Sequence, residues 1–150
     1  MKHIMILIFF ILCITLGGCV SKEATSVFVN YQVDQPSDTD LEETISNYFK
    51  NFDDVRKWRN YSTDEFIKRA YAWCSSDYSE EKSLEEMIQI YYKINKKSLK
   101  LKSAQVNNIS EVSEEEVIID VIRIWENDEQ DETTYTILKE SGEWKVDNRN

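Results

Sequence analysis

Between Glu116 and Glu126 the chain carries Val117, Ile118, Ile119, Val121, Ile122, Ile124 and Trp125, a β-branched run too dense for a loop. It is expected to be the central strand of a sheet. The last third of the chain, Leu99 to Asp147, supplies those neighbours and reads as four antiparallel strands joined by three turns. Tyr135, Ile137 and Leu138 alternate with polar residues between Thr133 and Glu140, and Ser141-Gly142 then leads into Trp144 and Val146. That pair is a hairpin signal. Gly142 is the only glycine beyond residue 18, and a two-residue turn needs φ > 0.

The two pleats of the central strand carry different expectations. Val117, Ile119 and Val121 form the core-facing set, which places Arg123 and Trp125 on the same side. Ile118, Ile122 and Ile124 fall on the opposite pleat beside Asp120, where a sheet covered on one side should be polar. Exposed isoleucines in that number mark a contact surface, so this outer face is a candidate interface with a second copy or another protein. A bulge that turns the strand over, or another segment lying across it, would remove that reading.

The chain opens on a different kind of segment. Lys2 precedes the apolar run Ile4 to Leu16, which as a helix is about 20 Å long against a hydrocarbon core of about 30 Å. Leu16, Gly17, Gly18 and Cys19 follow, and this sequence resembles the lipobox of bacterial lipoproteins. The resemblance implies a signal peptide at residues 1–18 and lipid, palmitate among it, on Cys19. It places the protein on the extracytoplasmic side of the cell membrane, anchored by that lipid. Loss of Lys2 with the leader takes the formal net charge from −10 to −11. So acidic a body is repelled by nucleic acid and by anionic head groups, which makes a covalent tether the expected link to the membrane and excludes nucleic-acid binding.

Residues 19–39 hold the only proline, Pro36, among many polar residues, and are expected to be the lipidated cysteine and its tether. Val27, Val29, Tyr31 and Val33 nevertheless alternate as a strand would, and that alternative stays open. Three helices follow, each opened by a capping-box pattern: Asp40 with Glu43, Ser62 with Glu65, and Ser83 with Glu86. Their apolar faces are Leu41, Ile45, Tyr48, Phe49, Phe52 and Val55; then Phe66, Ala70, Tyr71 and Trp73 or Cys74; then Leu84, Met87, Ile88, Tyr91 and Ile94. The chain is thus expected to be α+β, with one domain over residues 40–150.

Three helices followed by a meander ending in Gly142-Glu143-Trp144-Lys145-Val146 resemble the NTF2-like fold, closest to small lipoprotein domains of uncharacterised function. The stretch from Ala72 to Met87, with Ser76, Asp77 and Tyr78 and then Ser83 to Glu86, is similar to the junction between the second and third helices of those domains. The resemblance implies a curved four-stranded sheet wrapping three helices into a cone, with a pocket at its open end. Fold alone assigns no activity.

What chemistry the chain can hold is narrowed by what it lacks. His3 is the only histidine and falls in the leader, and Cys74 is the only cysteine of the mature body. Histidine triads, histidine metal sites and paired-thiol chemistry are therefore excluded, and no metal or cofactor is expected. Cys74 reads as a small buried hydrophobe. The acids from Glu126 to Glu132 lack the alternation and glycine of a calcium loop and read as a solvated hairpin tip. Candidate ligand-binding residues are Arg123, Trp125, Tyr91 and Tyr135, with Tyr48 and Tyr71 as further possible pocket groups. Arg123 either faces an anionic ligand or marks the strand's exit to solvent. The expected role is a non-catalytic binding or accessory module. One alternative is an enzyme like ketosteroid isomerase, using a pocket carboxylate such as Asp120 with tyrosines. Another is an immunity or inhibitor protein acting through negative charge.

Overall fold

The computed structural model describes residues 27–34, 36, 38–75 and 82–150. The leader, the Leu16 to Cys19 motif and the Ser76-Asp77-Tyr78 stretch lie outside the described residues. In chain order the elements are β1 (Phe28–Tyr31), α1 (Thr39–Lys50), α2 (Val55–Trp58), a 3-10 turn (Arg59–Tyr61), α3 (Asp64–Cys74), α4 (Leu84–Asn95), β2 (Leu101–Ser113), β3 (Glu116–Trp125), β4 (Gln130–Glu140) and β5 (Glu143–Arg149). The chain is α+β. Its sheet has the order β1-β2-β3-β4-β5, antiparallel from β2 onward and parallel between β1 and β2.

The dense strand is central. Val117, Ile119, Val121 and Arg123 point to the buried side together with Ala104 and Val106 of β2, Tyr135 and Ile137 of β4, and Trp144 and Val146 of β5. Helices α1 and α3 close over that face with Leu41, Ile45, Tyr48, Phe49, Phe66, Ile67 and Ala70. Register shifts in β2 at Leu101/Ser103, Val106/Asn108 and Glu111/Ser113 are bulges, and bulges bend a strand around what it covers. The β4–β5 reversal takes positive φ at both Ser141 (53°) and Gly142 (88°), as a twist-matched two-residue turn demands.

Several expectations are corrected. The sheet has five strands, because Phe28–Tyr31 pairs in parallel with Ser103 to Val106 at the edge of the sheet. The alternation of Val27, Val29 and Tyr31 puts these side chains against the core, so the tether cannot extend through residues 28–31 and the folded part begins before Asp40. There are four α-helices and a 3-10 turn among the described residues. The first helix stops at Lys50, and Val55 opens a separate short one capped by Asp54. Only the Ser83–Glu86 capping box forms as expected. Helix α1 is capped by Asp38, whose carboxylate accepts from the Asp40 and Leu41 amides. Helix α3 is capped by Thr63, whose Oγ1 accepts from the Phe66 amide at 3.0 Å, while the Ser62 hydroxyl donates back to the Trp58 carbonyl. Thr63 wins because its own amide donates to the Val146 carbonyl and its hydroxyl donates to Asp147, tying the helix start to β5.

Candidate functional site

The end of β3, the α1–α2 junction and the C-terminal ends of α3 and α4 enclose a cavity of about 310 Å³. Tyr48 meets Phe52 and Trp58 edge-on and Phe66 tilted, and Trp58 tilts against Phe66, a cluster lining the chamber with centroids 5.7 to 6.2 Å apart. Tyr91 of α4 meets Trp58 edge-on at 6.0 Å, and Trp125 of β3 meets Phe52 at 6.0 Å. Trp73 and Leu99 also line the chamber and are 49% and 44% exposed, so its entrance is apolar. The volume sits at the small end of ligand pockets, which are apolar concavities with a few placed polar groups.

Those polar groups come mainly from β3, β5 and the helices. Arg123 is 8% exposed and points inward, so it neither exits to solvent nor stands free. Its Nε and Nη2 donate to Asp131 at 2.7 and 2.8 Å, and its Nη1 donates to the Tyr135 hydroxyl at 3.3 Å. Trp125 Nε1 donates to the same carboxylate at 3.3 Å. Asp131, expected in a solvated hairpin tip, is thus the counter-ion of the chamber wall. Arg149, at the end of β5, has no carboxylate partner among the described residues; its guanidinium carbon lies 4.6 Å from the centroid of the Trp73 ring. Burial raises the pKa of Tyr48 well above the usual range, and that of Tyr91 to about 12, against the opposing charges of Arg149 and Arg123. Both remain neutral hydroxyl donors. Neither hydroxyl has a hydrogen-bond partner among the described residues, and neither is sealed away as the Tyr31 hydroxyl is.

Of the four residues expected to touch a ligand, Arg123, Trp125 and Tyr91 line the chamber. Tyr135 does not. It lies opposite Ile119 in the β3–β4 ladder and is fully buried behind Arg123, which it steadies. Among the other tyrosines Tyr48 lines the chamber, and Tyr71 does not. Asp120 is on the outer sheet face, accepting from Thr134 Oγ1 at 2.7 Å and Asn108 Nδ2 at 3.1 Å, and cannot serve the chamber. Among the described residues the carboxylate that lines it is Asp53, one oxygen of which accepts the Leu101 amide at 3.2 Å. Burial raises its pKa, and its charged neighbours are Lys100 and Glu126 rather than the arginines. Cys74 is exposed at the chamber wall rather than buried, and burial of its sulfur on one side still pushes the thiol pKa up, away from nucleophilic character.

Sequence reasoning missed Asp53 and Arg149. Asp53 stands in a short run of polar residues after the first helix, and Arg149 is the penultimate residue. Neither breaks an apolar pattern, which is the signal that singled out Arg123.

Ile118, Ile122 and Ile124 do lie on the outer face, half-buried. The β3–β4 register runs without a shift from Glu116 to Ile124, and β1 pairs in the plane of the sheet, so neither a bulge nor that segment removes them. Polar residues flank them on both sides: Ser103, Gln105 and Ser110 from β2, and Gln130, Glu132 and Thr136 from β4.

No protein-family model matches the chain, and no curated protein matches it significantly. Among solved structures it is similar to an NTF2-like protein of Campylobacter jejuni described as a candidate transpeptidase, at 18% identity and a TM-score of 0.45, covering 71% of this chain and 96% of that one. It is also similar to a SEC-C-motif protein of Rhodopseudomonas palustris, at 11% identity and a TM-score of 0.37, covering 64% of this chain and 74% of the other. Likeness this loose assigns neither activity nor ligand.

Proposed function

We propose that this protein is an extracytoplasmic lipoprotein, held at the membrane by lipid on Cys19, whose NTF2-like domain is a non-catalytic binding module. The observation that carries the binding role is the chamber itself: an aromatic concavity with an apolar entrance and two tyrosine hydroxyls left without protein partners. Hydroxyls that open into an apolar concavity without protein partners are placed to orient a ligand. Helices packed on the concave side of a bulged antiparallel meander, with the cavity at one end, support the NTF2-like reading. Among the described residues no helix is long and apolar enough to cross a membrane, so the anchoring rests on the Leu16 to Cys19 motif. Detergent partitioning tests it: wild type should follow the detergent phase, and Cys19→Ala should be released or stay unprocessed. A processed Cys19→Ala protein that still partitions with detergent would sink the lipoprotein reading.

The outer face belongs to the same proposal as a second surface, where Ile118, Ile122 and Ile124 meet another copy or another envelope protein. One observation favours the enzyme alternative: Asp53, with its raised pKa, shares the chamber with Tyr48 and Tyr91, as a base shares a site with hydroxyl donors. Deuterium exchange next to the carbonyl of a cyclic ketone, catalysed by wild type and lost in Asp53→Asn, would put that alternative first.

A further inference from the structure

Resting on the reading of the chamber as a binding site, we propose that its ligand is a small organic monocarboxylate with an apolar, preferably aromatic, body. The carboxylate oxygens meet the Arg149 guanidinium and the Tyr48 and Tyr91 hydroxyls, and the body lies against Phe52, Trp58 and Trp73.

The charge of the two arginines separates their roles. Arg123 spends its fork on Asp131 and Tyr135, with a bidentate pair at 2.7 and 2.8 Å, so it shapes the wall. Arg149 lines the same chamber and has no carboxylate partner among the described residues. A guanidinium held over an indole is oriented without being neutralised, because the ring supplies only a quadrupole. Two tyrosine hydroxyls line the same chamber. The Tyr48 hydroxyl makes no hydrogen bond among the described residues and is not sealed from the chamber, so it is an O–H open to an oxygen there. Tyr91 adds a second such group, and both line the same chamber as Arg149. A cation with two neutral hydroxyl donors in one small chamber favours a carboxylate, which brings negative charge, over a neutral amide and over an ammonium group.

Size and the remaining charge narrow the class. At about 30 Å³ per water, the 310 Å³ chamber equals about ten water volumes, enough for a ring and a short acid side chain. Asp53 lines the chamber without an arginine beside it, so a second negative charge on the ligand meets repulsion there. That favours one carboxylate over two.

The test is calorimetric titration of the full chain in detergent with 3-phenylpropionate, 3-phenylpropanamide and 3-phenylpropylamine. These share a body and differ in charge. The acid should bind saturably, the amide at least tenfold more weakly, and the amine not at all. Arg149→Gln should weaken the acid at least tenfold and leave the amide unchanged, with Arg149→Lys in between. Tyr48→Phe, which removes one oxygen and keeps the ring, should weaken the acid several-fold and serves if the arginine variants misfold by circular dichroism. Equal binding of acid and amide, or wild-type acid affinity in both Arg149→Gln and Tyr48→Phe, overturns the carboxylate assignment while leaving a binding chamber. Absence of a saturable response to all three compounds overturns the assignment and the binding role together.

Discussion

The indole Nε1 of Trp144 donates to Asp38 Oδ2 at 2.8 Å across 106 residues of chain, and the other oxygen of the same carboxylate caps α1. One side chain therefore fixes where the first helix starts and where it sits on β5. The Thr44 hydroxyl adds a bond to the Trp144 carbonyl, and the Lys139 ammonium lies 5.0 Å from the indole centroid. Trp144→Ala should cost about 3–5 kcal/mol, enough to unfold a domain of ordinary stability. Trp144→Phe keeps most of the packing and loses the bond to Asp38, so about 1 kcal/mol is expected. An unchanged melting temperature in the alanine variant would mean the indole is not part of the core.

The same pair carries an acid dependence. The Trp144 bond, with the capped amides and Lys139, holds the Asp38 pKa below 3.8. A carboxylate whose pKa is depressed on folding stabilises above its unfolded pKa, and the contribution is lost as pH falls through the folded value. Asp38→Asn should therefore be less stable than wild type at pH 6, and the gap should shrink as pH drops below the unfolded value. A gap independent of pH from 6 to 2 would show that the carboxylate charge contributes nothing.

Asp131 neutralises Arg123, and its loss strands a buried guanidinium on one long bond to Tyr135. Because the Asp131 side chain is 43% exposed and water can partly replace it, the penalty falls below that of a sealed pair. Asp131→Ala should cost about 2 kcal/mol, a fall of about 5–8 °C in Tm. Arg123→Met with Asp131→Ala should recover part of that loss, since the orphaned charge is gone. Failure of the double variant to recover any stability would mean the aromatic wall depends on the guanidinium itself.

Asp53 runs in the opposite sense. Burial raises its pKa above 3.8 in the folded protein, so protonation is favoured by folding. Its stabilising contribution is complete below the unfolded value and lost as pH rises through the folded one. Asp53→Asn keeps an acceptor for the Leu101 amide and removes the charge, and half-exposure discounts the gain to about 0.5 kcal/mol at pH 7. Thermal melts at pH 7 and pH 3 should show the variant ahead at the first and level at the second. A variant less stable at pH 7 would mean the ionised carboxylate is the better acceptor for that amide.

What could be read from the chain before folding depended on how local the signal was. The four-strand meander was legible because Val117 to Trp125 and Ser141-Gly142 specify strand and turn through their immediate neighbours. β1 was ambiguous because four residues of alternation acquire meaning only through a parallel partner far along the chain, at Ser103 to Val106. The caps at Asp38 and Thr63 were missed for the same reason: each is selected by β5, through Trp144 and through Val146 with Asp147. The site followed the same rule. Arg123 stood out against an apolar strand, whereas Asp53 and Arg149 matter only because folding brings the α1–α2 junction and the end of β5 to one cavity.

The outer face gives the last prediction. Ile122 sits between Gln105 and Glu132, so each isoleucine of the stripe is half-covered by a polar neighbour. A stripe one strand wide is much narrower than the roughly 800 Å² per partner of a standard interface. If the face pairs, the apolar stripe must supply the centre and the flanking glutamate, glutamines, serines and threonine the rim, and the association should be weak. Ile122→Lys should then abolish self-association or partner capture, seen by sedimentation and by pull-down from the native envelope. Because the side chain is half-exposed and a lysine can reach past Glu132 to water, the variant should keep its circular dichroism. A wild type that sediments as a monomer and captures no partner, beside a mutant that unfolds, would make Ile122 ordinary packing and leave the binding role to the chamber.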